Sequence, residues 1–124
     1  MGEDHKTELV TICPGFTVGP PIYNDNFVSS GWLKRLMEGR MESISHGGYA
    51  VSDVRDVAQA HYNAIKVEAA ANKRFILVAD TPKFHDIARP IVDKYKNDGW
   101  NHITDNYQEE PAENPTPLIM FKND

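Results

Sequence analysis

The clearest pattern of apolar and polar positions lies mid-chain. Val54, Val57, Ala58 and Ile65 recur at steps of three and four, with His61 on the same stripe. This predicts an amphipathic helix. Ser52 or Asp53 supplies its N-cap, and Ala69-Ala70-Ala71 allows an extension before Asn72-Lys73 ends it. A second helix is predicted over residues 27–38, with Leu33, Leu36 and Met37 as its buried stripe. Asp25 or Asn26 is its expected cap, and Gly39 its stop. A third stripe runs through Phe84, Ile87, Ala88, Ile91, Val92 and Tyr95. Thr81-Pro82 reads as its N-cap and first helical residue, Pro90 is expected to kink or split it, and Gly99 ends it.

Two extended segments accompany these helices, in chain order one before the first and one between the second and third. Residues 9–13 form a short apolar strand, and residues 74–79, "RFILVA", form a second. The second is continuously apolar, which suits a strand buried on both faces of a parallel sheet. Residues 43–51 read as a loop with a short extended piece at 49–51, and 118–121 as a last edge strand. Residues 109–117 hold three prolines and three glutamates and read as an exposed linker. The order β-α-α-β-α-β predicts an α/β fold. So few strands leave apolar edges open, which suggests either pairing with another copy or membership of a larger sheet.

The end of the first strand is unusual. In "ICPGFTVGPPI" (12–22) the strand meets Pro-Gly, resumes for three residues, then meets Gly-Pro-Pro. Either this is a surface turn, or the strand opens onto something that must come close to the backbone.

The whole-chain numbers narrow the classes of function. With 124 residues the chain is one domain or part of one. A net charge of −5 argues against nucleic acid or an anionic membrane as partner. Lys34, Arg35 and Arg40 are interleaved with Glu38 and Glu42 and read as a solvated helix face. The single Cys13 reads as a buried structural thiol in a reducing compartment. Residues 75–79 are the longest aliphatic run, too short to span a bilayer, and the N-terminus shows no signal region. Lys6 breaks the myristoylation pattern. A cytoplasmic protein is the expectation. The five histidines are scattered without metal-ligand spacing, and no nucleophilic triad is recognisable.

Two stretches carry a family resemblance. "ELVTICPGFTVGPPI" (8–22) and "GGYAVSDVRDVAQAHYNAI" (47–65) resemble, in order and spacing, segments of the extended short-chain dehydrogenase/reductases. The branch they resemble most contains the dihydroflavonol 4-reductases, cinnamoyl-CoA reductases and related aldehyde/ketone reductases. "EAAANKRFILVADT" (68–81) follows at the expected distance, and "PLIMFKND" (117–124) resembles a later strand. The resemblance covers nearly all of this chain but only the later half of the family's fold. It implies a single partial domain over 1–124, part of a Rossmann-type sheet with segments of the substrate lobe.

The resemblance implies an NAD- or NADP-dependent carbonyl reductase acting on a small ketone or aldehyde. It also implies that Pro14, Gly15, Phe16 and Thr17 face the nicotinamide ring, with neighbouring backbone groups binding its carboxamide. Ser29 or Ser30 would reach a cofactor phosphate if the helix start points inward. Asp53, Arg55 and Asp56 are expected to tie the helix start to the sheet, and Ser52 stands where the family usually has an apolar residue. The Gly-rich phosphate turn is missing from these residues, and no tyrosine precedes Pro14 to serve as proton donor. Tyr62-Asn63-Ala64-Ile65-Lys66 spells Tyr-x-x-x-Lys but lies downstream of the place the family requires, and reads as ordinary helix surface. No catalytic residue is therefore assigned. The expectation is a reductase portion inactive alone, or a non-catalytic interaction or oligomerisation module derived from the family.

Overall fold

The computed structural model describes residues 7–23 and 27–111. The expected linker over 112–117, the strand over 118–121 and the caps Asp25 and Asn26 lie outside the described residues. The described elements are β1 (Thr11–Pro14), β2 (Phe16–Val18), α1 (Val28–Met37), β3 (Val51–Asp53), α2 (Val54–Lys66), β4 (Arg74–Leu77) and α3 (Phe84–Asn97). The class is mixed α/β. No helix among the described residues is long and apolar enough to cross a membrane.

Both strand pairs are parallel. β1 lies beside β4 in the register Thr11↔Arg74 to Pro14↔Leu77. β2 lies beside β3, from Phe16↔Val51 to Val18↔Asp53. Parallel neighbours need a long crossover, and the segment carrying α1 and α2 supplies it between β1 and β4. β1 starts later than the apolar pattern suggests: Leu9 and Val10 precede it, and the Leu9 amide donates to the Asn72 side chain at 3.3 Å. Phe75, Ile76 and Leu77 are half-buried rather than enclosed on both faces, since each described sheet has two strands. Cys13 is likewise half-buried.

The core lies away from the strands. Leu36 of α1, Phe84, Ala88 and Val92 of α3, and Ile44 and Ile103 from irregular segments close on one another. Trp32, Met37, Ile91 and Tyr95 pack around them. The α3 stripe is the one the sequence predicts. On α1, Trp32 takes the place expected of Leu33, which is exposed.

Helix ends follow local chemistry. α1 starts at Phe27 without a side-chain cap, and the Ser30 hydroxyl donates to the Phe27 carbonyl at 2.9 Å. Gly39 and Gly99 adopt positive φ (69° and 90°) just past α1 and α3, where a left-handed residue turns the chain out of the helix. α3 begins two residues after Pro82, with Lys83 at the N-cap and the Asp86 carboxylate accepting the Lys83 amide at 3.3 Å. Pro90 does not split α3, which runs unbroken from Phe84 to Asn97 with the proline on its exposed side.

α2 differs most from its sequence pattern. Val54, Val57, Ala60 and Ala64 are half-buried, while Ala58, His61 and Ile65 are exposed. The period holds, but the inward face is rotated towards β1, β2 and β3, against which α2 packs. His61 is no core residue; its Nδ1 contacts the Val57 carbonyl one turn earlier at 2.8 Å. The helix stops at Lys66, and a 3-10 turn (Glu68–Ala70) replaces the expected extension.

Candidate functional site at the end of the first strand

The Pro-Gly break is where the chain changes partners. The Thr11 amide donates to the Lys73 carbonyl at 3.0 Å, and the Gly15 amide to the Leu77 carbonyl at 2.9 Å. An extended strand alternates its amides between its two edges, so Pro14, which has no amide hydrogen, falls on the edge that does not face β4. The next amide goes elsewhere: Phe16 N–H donates to the Ala50 carbonyl at 2.6 Å. One continuous extended segment thus serves β4 before Gly15 and β3 after it.

Gly15 is required by this crossing. A Cβ there would overlap the Ala50 carbonyl oxygen and crowd the Ser52 hydroxyl at 3.4 Å. The close approach legible in the sequence is therefore an approach by the chain's own backbone. Ser52, 3% exposed, sits beside the junction. Its Oγ accepts from the Gly15 amide at 3.1 Å and donates to the Leu77 carbonyl. Val51 extends the lacing, donating to the Asp80 carbonyl and accepting from the Ala79 amide, both at 2.8 Å. The Thr17 hydroxyl donates to the Gly15 carbonyl at 3.2 Å.

Aromatic rings connect the junction to the core. Phe16 stacks on Tyr49 with centroids 4.5 Å apart and planes 13° apart. Tyr49 meets the edge of Phe84 at 4.7 Å, and Phe84 stacks on Trp32 at 5.2 Å. Such offset and edge contacts add to the burial term.

The sequence-assigned residues Pro14, Gly15, Phe16 and Thr17 are contiguous here. Ser29 is half-buried in the first turn of α1, an element that packs beside β2. Ser30 turns its hydroxyl back to its own helix start. Tested against a nicotinamide, the junction does not fit as it stands: the amides of Gly15 and Phe16 both have protein acceptors, and the Phe16 ring is covered by Tyr49. Sequence reasoning passes over Ala50, and it marks Ser52 only as a possible helix cap and as a departure from the family's apolar residue. A small hydroxyl in the otherwise apolar piece 49–51 and its sequel was the available signal.

Asp53 ties the start of α2. Its carboxylate accepts from the Arg55 amide at 2.8 Å, from Arg55 Nε at 2.8 Å and from Arg55 Nη2 at 2.5 Å. The Arg55 side-chain hydrogen bonds, then the backbone one, lower the Asp53 pKa from 3.8 to about 2. Tyr62 and Lys66 are exposed on α2, and the ammonium lies over the face of the Tyr62 ring, 5.7 Å from its centroid.

A second group of side chains lies near α3. His46 Nε2 is 3.1 Å from Glu110, and Lys83 Nζ is 3.8 Å from the same carboxylate. Glu110 is the second residue of the stretch that reads as a linker, so that stretch is tied down near its start. The His85 ring packs edge-on against His46 and Tyr107. Among the described residues no cluster of His, Cys, Asp or Glu has the makings of a metal site.

No family model matches the chain, and no curated protein matches it.

Proposed function

We propose that this chain is the C-terminal portion of an NAD(P)H-dependent carbonyl reductase fold of the extended short-chain type, and that these residues have no reductase activity by themselves. The observation that carries the reading is the parallel β1–β4 pair with a Pro-Gly break at the carboxyl end of β1. Open α/β sheets take their ligands at that end of their strands. Inactivity alone is supported by the missing Gly-rich turn, by the absence of a tyrosine before Pro14, and by the Tyr62–Lys66 pair. That pair lies on the exposed side of α2, with the Lys66 ammonium over the Tyr62 ring. On this reading the substrate class is a small ketone or aldehyde, the cofactor NAD or NADP, and the compartment the cytoplasm.

Two experiments test the two halves of the proposal. Nicotinamide absorbance with a panel of aldehydes and ketones should show no turnover by the purified chain. Turnover that scales with protein and disappears in Tyr62→Phe would overturn inactivity. The codons upstream of Met1 should encode, in frame, a Gly-rich turn and a Tyr-x-x-x-Lys pair. Upstream codons that encode neither would remove the enzymatic reading.

A second reading, a non-catalytic association module, is favoured by one observation. The two described sheets have two strands each, and Leu9, Ile65 and Val67 are exposed by 69%, 84% and 51%. Sedimentation equilibrium should then show a concentration-dependent dimer; a monomer at all concentrations would remove this reading.

A further inference from the structure

We infer that residues 50–52 plug the end of β1 from within, so that the two amides after Pro14 are not offered to a nicotinamide carboxamide or to any similar amide ligand. The choice of ligand rests on the reductase reading above; the plug itself rests on geometry alone. A carboxamide docked on backbone needs at least one free N–H for its oxygen. Gly15 N–H is shared between the Leu77 carbonyl at 2.9 Å and Ser52 Oγ at 3.1 Å. Phe16 N–H is held by the Ala50 carbonyl at 2.6 Å. The Cα face of Gly15, where an amide group would lie closest, is filled by that same carbonyl.

Three features hold the plug in place. β2 and β3 are paired in register, Phe16↔Val51 and Thr17↔Ser52. Ser52 is buried with both its donor and its acceptor used. Tyr49, immediately before the plug, is stacked on Phe16 and braced by Phe84. A ligand taking the Phe16 amide must leave the Ala50 carbonyl unpaired, and each such loss weakens binding by roughly tenfold or more. The small hydroxyl at position 52 is therefore a closing device: it fits beside Gly15 and bonds to it, which an apolar side chain there cannot do.

The test uses the intact chain, NMR-detected hydrogen exchange and a titration with nicotinamide mononucleotide. Gly15 and Phe16 amides should exchange at least about a hundredfold more slowly than in an unstructured peptide. Their shifts should stay unmoved up to millimolar ligand. Exchange of either amide near the unstructured rate overturns the plug, and so does a saturable ligand shift at either one. Ser52→Ala should speed exchange at Gly15 more than at Phe16; equal rates in variant and wild type would remove the serine from the device. Should that variant not fold, the two wild-type measurements still decide. Exchange reports the plug whatever the chain's ancestry, while the upstream codons report the ancestry, so the two ideas fail separately.

Discussion

The Ser52 hydroxyl meets the Gly15 amide at 3.1 Å across 37 residues of sequence. The same hydroxyl donates to Leu77, so one small side chain in the middle of β3 joins the ends of β1 and β4. Removing it takes away one of two donors to the Leu77 carbonyl and one of two acceptors for the Gly15 amide, which keep each other as partners. Ser52→Ala is expected to cost about 0.5–1.5 kcal/mol. Urea unfolding, read as a shift in midpoint at constant slope, checks this. A loss below about 0.5 kcal/mol would mean that the hydroxyl contributes little net stability.

Two glycines should answer oppositely to the same substitution. Gly15→Ala drives a methyl into the Ala50 carbonyl, which is backbone and cannot swing away. The expected cost is about 1–3 kcal/mol. Gly31, inside α1, has no atom within 4 Å of the position a Cβ would take. Gly31→Ala should stabilise by about 0.5–1 kcal/mol, because alanine loses less conformational freedom in a helix. Thermal melts of the two variants should therefore move in opposite directions.

The sequence pattern exposes the parts of this fold that repeat. Phe84, Ala88 and Val92 are one face of one helix, and their spacing alone marks them as core. Ile44 and Ile103 are equally buried, yet each is an isolated apolar residue among polar ones and carries no period. α2 has the period without the depth: Ile65 lies on the predicted stripe and is 84% exposed, because what a helix face meets is decided by its neighbours. At the candidate site, Pro14-Gly15 correctly signals a close backbone approach. The approaching group is the backbone carbonyl of Ala50, which is distant in sequence and which no residue type marks. Sequence-local patterns show that space is needed, not what fills it.

Pro90 is exposed in the interior of α3. Lacking an amide hydrogen, it leaves the Asp86 carbonyl without its usual partner in the next turn. Alanine restores that bond and fits the helix by up to about 3 kcal/mol, against about 1 kcal/mol of unfolded-chain entropy that proline removes. Pro90→Ala should therefore raise stability by about 1–2 kcal/mol. A neutral or lower midpoint would show that the helix has bent to accommodate the proline.

Tyr107 presents a different liability. Its hydroxyl is buried without a hydrogen-bond partner among the described residues, while its ring packs against His85 and lies under the Arg89 guanidinium. Desolvation, with Asp93 adding to it, pushes its pKa up. Tyr107→Phe keeps the ring contacts and removes the unpaired oxygen. It should be neutral or stabilising by up to about 1 kcal/mol. Destabilisation in chemical denaturation would reveal a partner for the hydroxyl in solution.

The Asp53–Arg55 pair sets an acid dependence with a definite sign. The Asp53 pKa falls from 3.8 to about 2 on folding, so the folded chain holds this carboxylate ionised more tightly than the unfolded chain does. Its contribution is then complete at neutral pH, begins to fall as the pH drops through the ordinary carboxylate value, and is lost as the pH passes through about 2. Asp53→Asn keeps an N-capping oxygen but removes the charge. The stability difference between wild type and Asp53→Asn should therefore shrink towards zero on acidification through that window. Because the pair is exposed at the surface, added salt at neutral pH should reduce the difference as well. Urea midpoints measured across the acid range at low and high salt check both trends. A difference that stays constant with pH would mean that the side chain acts through its shape and hydrogen bond alone.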